Sequence, residues 1–155
     1  MAKIEVGQKA PDFVLQDTKG SEVKLSDYLG KKNVVLFFFP KAFTGTCERQ
    51  VSEHAHHYAR FAELGAEVLA VSTDQSPSQA AFVKQCGADS FPVLSDFRHQ
   101  VINLYGVAVP TGQRANDRAT FIIDKAGVVR HVFVEPDAGK WSGLDPELDT
   151  LQRIR

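Results

Sequence analysis

The strongest constraint on this chain is a run of six apolar residues, Val34-Val-Leu-Phe-Phe-Phe39, that stops at Pro40. A continuous apolar run of this length, partly β-branched and closed by proline, reads as a strand buried on both faces. Such a strand needs a layer of structure on each side, so the chain must supply helices to cover it. It does. From about Thr46 to Leu64 the apolar positions Val51, Ala55, Tyr58, Phe61 and Ala62 predict one amphipathic helix ended by Gly65. Ala66 to Ser72 predicts a second buried strand. Ser76-Pro77 opens a helix that runs to Cys86 and closes at Gly87.

The flanking segments complete the pattern. Asp12 to Gln16 alternates, Asp17-Thr-Lys-Gly20 has turn chemistry, and Val23 and Leu25 resume the alternation, which predicts an N-terminal β-hairpin. Ser26-Asp27 can cap a single helical turn. A short strand near Val93-Leu94 and a helix over Val101 to Tyr105 follow, then a polar loop from Gly106 to Asp117. Ala119–Asp124 and Val128–Glu135 form a strand–turn–strand pair, and Pro146 opens a last amphipathic helix. Helices alternating with strands, plus one antiparallel pair, make this an α/β domain with a mixed sheet. At 155 residues the chain has room for a single domain, 1–155.

Charge and cysteine content narrow the function. Eighteen Lys+Arg against 19 Asp+Glu leave a net charge of −1, without the basic footprint of a nucleic-acid binder or a pull toward an anionic membrane. No stretch approaches the roughly 20 apolar residues of a membrane span, and the N-terminus lacks a signal-peptide core, so a cytoplasmic protein is expected. Two cysteines, Cys47 and Cys86, are too few for a disulfide scaffold and suit a reducing compartment.

Cys47 falls in the first turn of the helix that follows the buried strand. Unpaired amides and the positive end of the helix dipole favour a thiolate over a thiol there. Thr44, three residues earlier, can bring its hydroxyl to the sulfur or to a small ligand beside it. Ligands of α/β sheets bind beyond the carboxyl ends of the strands, which is this junction. The competing reading of Cys47 is a small buried hydrophobe.

The motifs carry a resemblance. Pro40-x-x-x-Thr44-x-x-Cys47 resembles the peroxiredoxin signature, and Arg118-Ala-Thr-Phe-Ile-Ile-Asp124 resembles that family's arginine-bearing strand. Gly7-x-x-Ala-Pro-Asp-Phe13, Phe91-Pro-Val-Leu-Ser-Asp96 and Tyr105-Gly-Val107 follow in the same order, so the likeness covers nearly the whole chain. The stretches FFPKAFTGTC and SDF look most like the alkyl hydroperoxide reductase E type, a one-cysteine peroxiredoxin. Arg98 is a departure, standing where relatives of that type often carry a bulky aromatic.

The resemblance implies a thioredoxin-like fold with an added hairpin, and a thiol-dependent peroxidase with no metal or organic cofactor. Cys47 would be the peroxidatic cysteine, Thr44 would hydrogen-bond the peroxide, Arg118 would hold thiolate and peroxide, and Pro40 would shield the sulfur. The implied partners are a peroxide substrate, an external thiol or thiol-protein reductant, and a second copy of the chain in a homodimer.

Three alternatives stay open. Cys86, four residues after Phe82 on the same stripe, is read as core, with a resolving role against Cys47 as the alternative. Monothiol exchange is a second, although Gln50 occupies the place of the second cysteine of a Cys-x-x-Cys pair. A metal site built on His54, His56 and His57 is a third. Without a second ligand pair of zinc-like spacing, these histidines are read as a solvated helix face with His54 near the core edge. Arg114, in the polar loop, is read as a surface charge. Phe43 is assigned either to an apolar entry or to a subunit interface.

Overall fold

The computed structural model describes residues 4–110, 112 and 114–155. The apolar run forms β3 (Asn33–Phe38), every residue of which is buried. It lies between β4 (Ala66–Ser72), parallel to it, and β6 (Ala119–Ile123), antiparallel to it. Around this trio sit β1 (Val14–Gln16), β2 (Glu22–Lys24), β5 (Val93–Ser95) and β7 (Val129–Val134). The mixed sheet has the order β2-β1-β5-β4-β3-β6-β7. The N-terminal hairpin is present as β1 and β2, and β1 pairs antiparallel with β5.

Side chains alternate across a strand, so β3 serves two cores. Val35, Phe37 and the following Phe39 enter one layer with Cys47, Val51, Phe61, Phe82, Leu148 and Leu151. That layer is built by α1 (Gly45–His56), α2 (Tyr58–Glu63), α3 (Ser76–Cys86) and α5 (Asp145–Ile154). Val34, Leu36 and Phe38 enter the other, with Phe13, Leu15 and residues of α4 (Gln100–Leu104). Burying a leucine or phenylalanine on either side contributes about 1.5–3 kcal/mol. This two-sided demand is why the run has no polar residue.

The predicted elements are found with shifts of a residue or two, apart from two differences in the long helix. It is interrupted at His57, whose φ of −106° and ψ of 19° separate α1 from α2. Its buried face also differs. Cys47, Gln50, Val51, His54 and Phe61 are buried, whereas Ala62 is exposed. Helix α3 ends as expected. Gly87 adopts φ 65°, and its N–H reaches Lys84 O while Ala88 N–H reaches Val83 O, a left-handed cap that glycine enters without Cβ strain. Among the described residues, no helix is long and apolar enough to cross a membrane.

Candidate active site

The site lies where β3 ends and α1 begins. The connecting loop is fastened to the carboxyl end of the sheet, where Asp74 Oδ2 accepts from Ala42 N–H at 2.7 Å and from Ser72 Oγ at 2.8 Å. Ser95 Oγ donates to Asp74 O at 2.6 Å, so β4, β5 and the loop share one anchor. Phe43 holds a φ of 64°, a left-handed conformation costly for a residue with a bulky side chain. The residue is 51% exposed, and its ring meets that of Phe82 edge-on at 5.4 Å.

Thr44 is the N-cap of α1 in extended conformation, and Cys47 is the helix's third residue. The sulfur therefore lies among first-turn amides that have no acceptor within the helix. The Thr44 hydroxyl does not cap the helix or touch the sulfur; it donates to Lys41 O at 2.9 Å. That bond commits its proton and leaves the oxygen lone pairs for a donor. Cys47 is 0% exposed.

Arg118 reaches the sulfur from the neighbouring strand. It precedes Ala119, which pairs with Phe38, and strand alternation turns it to the α1 side of the sheet, with Ile122. All three arms of the guanidinium are directed: Nη2 to Cys47 Sγ at 3.3 Å, Nη1 to Gln50 Oε1 at 2.7 Å, and Nε to Ala138 O at 3.0 Å. At 3% exposure its charge acts with little screening from water.

The segment after β7 straps this arrangement to the helix. Thr46 Oγ1 donates to Gly139 O at 2.8 Å, and Arg49 Nη2 to Trp141 O at 3.4 Å, with the Arg49 guanidinium 5.1 Å over the Trp141 ring. A mouth of about 780 Å³ opens above, lined by residues that include Pro40, Thr44, Arg114, Arg118 and Gly139. The expected site residues Pro40, Thr44 and Arg118 thus share one opening, and Arg118 links it to Cys47. Arg114 is 45% exposed at the rim and pairs with Asp117 at 3.2 Å.

Two positions that support this arrangement escape a reading of the sequence. Gln50 stands out there only as the residue filling the second place of a Cys-x-x-Cys pair, yet it carries Arg118. Its spacing of three from Cys47 puts both on one helix face. His54 corrects a second expectation: instead of sitting at the edge of a solvated face, it is wholly buried and stacks on Phe37 at 4.3 Å. Its burial is possible because both ring nitrogens have partners. Nδ1 lies 2.8 Å from Gln50 O, and Nε2 lies 2.7 Å from Oε1 of Glu147, itself buried in the first turn of α5. Both partners are acceptors, so one proton must lie between Nε2 and Oε1. The pair ties α5 to the helix that carries Cys47. His56 and His57 stay at the surface region, and among the described residues no group of three His, Cys, Asp or Glu side chains is placed to hold a metal ion.

Cys86 packs partly buried beside the other flank of α1, its Sγ 3.9 Å from Glu48 O. Burial pushes its thiol up from the ordinary value; a hydrogen bond with Ser52 works against this and the Glu48 carboxylate adds to it. Arg98 lays its guanidinium 5.4 Å from the ring centre of the exposed Phe97, in place of an aromatic contact.

Comparison with known proteins agrees with this geometry. The AhpC/TSA family pattern matches residues 6–132. The chain is 39% identical over 129 residues to alkyl hydroperoxide reductase E of Mycobacterium tuberculosis, covering 82% of this chain and 83% of the relative. It is 37% identical over 161 residues to a chloroplastic 2-cysteine peroxiredoxin of Chattonella marina var. antiqua, covering 98% and 81%. The crystal structure of peroxidoxin BcpB from Mycobacterium tuberculosis superposes with a TM-score of 0.89 at 32% identity, covering 98% of this chain and 99% of that one. A buried cysteine on a helix N-terminus, a guanidinium delivered to it by the adjacent strand and these matches converge: the chain belongs to the AhpC/TSA family, the peroxiredoxins, with their thioredoxin-like fold.

Proposed function

We propose that Cys47 is the nucleophile of this thiol-dependent peroxidase, with Thr44 and Arg118 organising the peroxide and Pro40 shaping the opening. The observation that carries this reading is the 3.3 Å contact between Arg118 Nη2 and Cys47 Sγ, both residues being buried and Arg118 lining the mouth. The sulfur attacks the distal peroxide oxygen. An S–O bond forms as the O–O bond breaks, giving a sulfenic acid and an alkoxide or hydroxide that takes up a proton. Thr44, its own proton committed to Lys41 O, accepts the peroxide O–H and aligns the O–O bond. Arg118 and the first-turn amides stabilise the charge that moves from sulfur to the departing oxygen.

Regeneration uses two equivalents of an external thiol. The first displaces water from the sulfenic acid to form a mixed disulfide; the second releases Cys47 and a small disulfide. Cys86 is then a packing residue, a role supported by its raised thiol. The two-cysteine reading has one observation in its favour, the Cys86 sulfur standing 3.9 Å from Glu48 O, next along the chain from Cys47. We further assign the protein to the cytoplasm as one domain, with neither nucleic acid nor membrane as partner. It acts as a homodimer through the surface around the loop that carries the exposed Phe43.

Stopped-flow oxidation of the wild type and Cys47→Ser by several peroxides tests the nucleophile. Equal peroxide consumption by the variant sinks the assignment. Non-reducing mass spectrometry after one equivalent of peroxide separates the two thiol schemes: a sulfenic acid trapped at Cys47 is expected, and an internal Cys47–Cys86 disulfide as main product rejects the one-cysteine scheme. Sedimentation velocity reads the dimer.

A further inference from the structure

Thr44 stands at a helix start yet does not do what a threonine there ordinarily does. An N-cap threonine accepts a hydrogen bond from the second or third amide of its helix, which in α1 belong to Thr46 and Cys47. Thr44 makes no such bond; its hydroxyl donates the other way, to Lys41 O at 2.9 Å. Lys41 O must therefore be held where it can draw the hydroxyl off the cap.

Asp74 holds it through a single peptide group. Lys41 O and Ala42 N–H belong to the same planar trans unit, so they point in opposite directions. Asp74 Oδ2 accepts from Ala42 N–H at 2.7 Å on one side, and Lys41 O accepts from the Thr44 hydroxyl on the other. The carboxylate fixes the plane, and its charge polarises the peptide so that Lys41 O is a stronger acceptor. Asp74 has little freedom of its own. Ser72 Oγ donates to the same Oδ2 at 2.8 Å and accepts from the buried Gln79, while Ser95 Oγ donates to the Asp74 backbone O at 2.6 Å. Among the described residues Asp74 has no ion-pair partner, so its charge is directed at this peptide and the serine. The restraint is needed because the next residue resists it: Phe43 is held at φ 64°, a strain the loop would relieve if the Ala42 N–H were let go.

We propose that Asp74 is a positioning residue for peroxide reduction, aiming the Thr44 hydroxyl through the Lys41–Ala42 peptide. The inference rests on the peroxidase reading of Cys47 and Thr44. With its proton on Lys41 O, Thr44 keeps its lone pairs for the peroxide O–H. The first-turn amides that it would otherwise cap stay open to the charge that develops on the departing oxygen. Asp74 exchanges no proton and acts only through that peptide.

The test compares two reactions of the same sulfur. Peroxide reduction uses Thr44, whereas alkylation of Cys47 by iodoacetamide needs only an accessible thiolate. Asp74→Ala is expected to lower the second-order rate constant for hydrogen peroxide by about tenfold. The rate and pH profile of alkylation at Cys47, followed by peptide mass spectrometry, are expected to stay within about twofold of wild type. Asp74→Asn keeps an oxygen acceptor without the charge and is expected to recover part of the loss, to about threefold below wild type. In a Thr44→Val background neither change at Asp74 is expected to slow peroxide reduction further. Wild-type peroxide rates in Asp74→Ala overturn the proposal. So does an equal fall in peroxide reduction and alkylation, the mark of a general disturbance, and so does an undiminished loss in the Thr44→Val background. If thermal unfolding shows that Asp74→Ala does not fold, Asp74→Asn carries the same three comparisons, with its smaller loss as the expected result and a wild-type rate as the refuting one. A wild type that fails to reduce hydrogen peroxide counts against the peroxidase reading; normal reduction that Asp74→Ala leaves unaffected counts against the role of Asp74 alone.

Discussion

Replacing Arg118 by alanine separates ionisation of the nucleophile from organisation of the transition state. An unperturbed thiol with a pKa of ~8.5 is about 7% ionised at about pH 7.4, so complete ionisation can raise a rate by at most ~13-fold, or about 1.5 kcal/mol. Greater ionisation also lowers intrinsic nucleophilicity, which shrinks that gain. Arg118 offers more than this. It gives the sulfur a charge-assisted hydrogen bond at 3.3 Å, in a site where the guanidinium is 3% exposed and fixed at its other two arms. Removing a preorganised donor of this kind costs about 10²–10³-fold, or roughly 2.7–4 kcal/mol. Arg118→Ala is therefore expected to slow peroxide reduction by ~10²-fold or more. The assay is stopped-flow oxidation followed by the emission of Trp141, the single tryptophan, which lies 5.6 Å from His54. Repeating it near about pH 10 ionises most ordinary thiols and removes the ionisation component. A deficit below about 13-fold at neutral pH that disappears at high pH would refute this division between ionisation and transition-state organisation.

Three further outcomes follow from the same geometry. Gln50→Leu removes the acceptor 2.7 Å from Arg118 Nη1 and frees the guanidinium to turn; a loss of about tenfold in peroxide rate is expected, read by the same stopped-flow assay. In the His54–Glu147 pair, Glu147→Leu strands a buried histidine and is expected to cost about 3 kcal/mol in denaturant unfolding, while His54→Phe with Glu147→Leu costs less than the two single changes added; additive losses would show that the pair is not coupled. His131 is held below its ordinary value of 6.5 chiefly by burial, with Glu147 opposing and Arg153 assisting. The unfolded chain thus binds a proton more readily than the folded one, so this group's contribution to stability is present above about pH 6.5 and is lost as the pH falls. His131→Gln is expected to flatten the decline of melting temperature between about pH 6.5 and 5; an unchanged slope would count against this.

Much of this architecture is legible in the chain because it rests on periodicity and punctuation. The buried run at 34–39, the Pro77 start and the Gly87 stop of α3 are local signals, and local signals read well. Cys47, Thr44 and Arg118 are singled out in the sequence through a helix-start argument joined to a family signature. Gln50 and His54 are not, because polar residues on an amphipathic helix are first read as facing water. Their partners, Arg118 and Glu147, stand 68 and 93 residues away in sequence, and a single chain gives no sign of such pairings. A signal is present all the same. Positions 47, 51, 54, 58 and 61 keep an unbroken helical spacing, and including His54 in that stripe buries it.

Cys47 and the Arg118 guanidinium stand on opposite sides of the β3–β6 seam, 71 residues apart in the chain. During synthesis the loop, the helix and Cys47 are all made well before Arg118 emerges. The contact at Cys47 thus forms only when the last third of the chain closes the sheet. The closure must also be in register, because a slip of one residue would turn Arg118 into the opposite core and away from Cys47. On the proposed assignment, peroxidase activity depends on completion of the β3–β6 pairing.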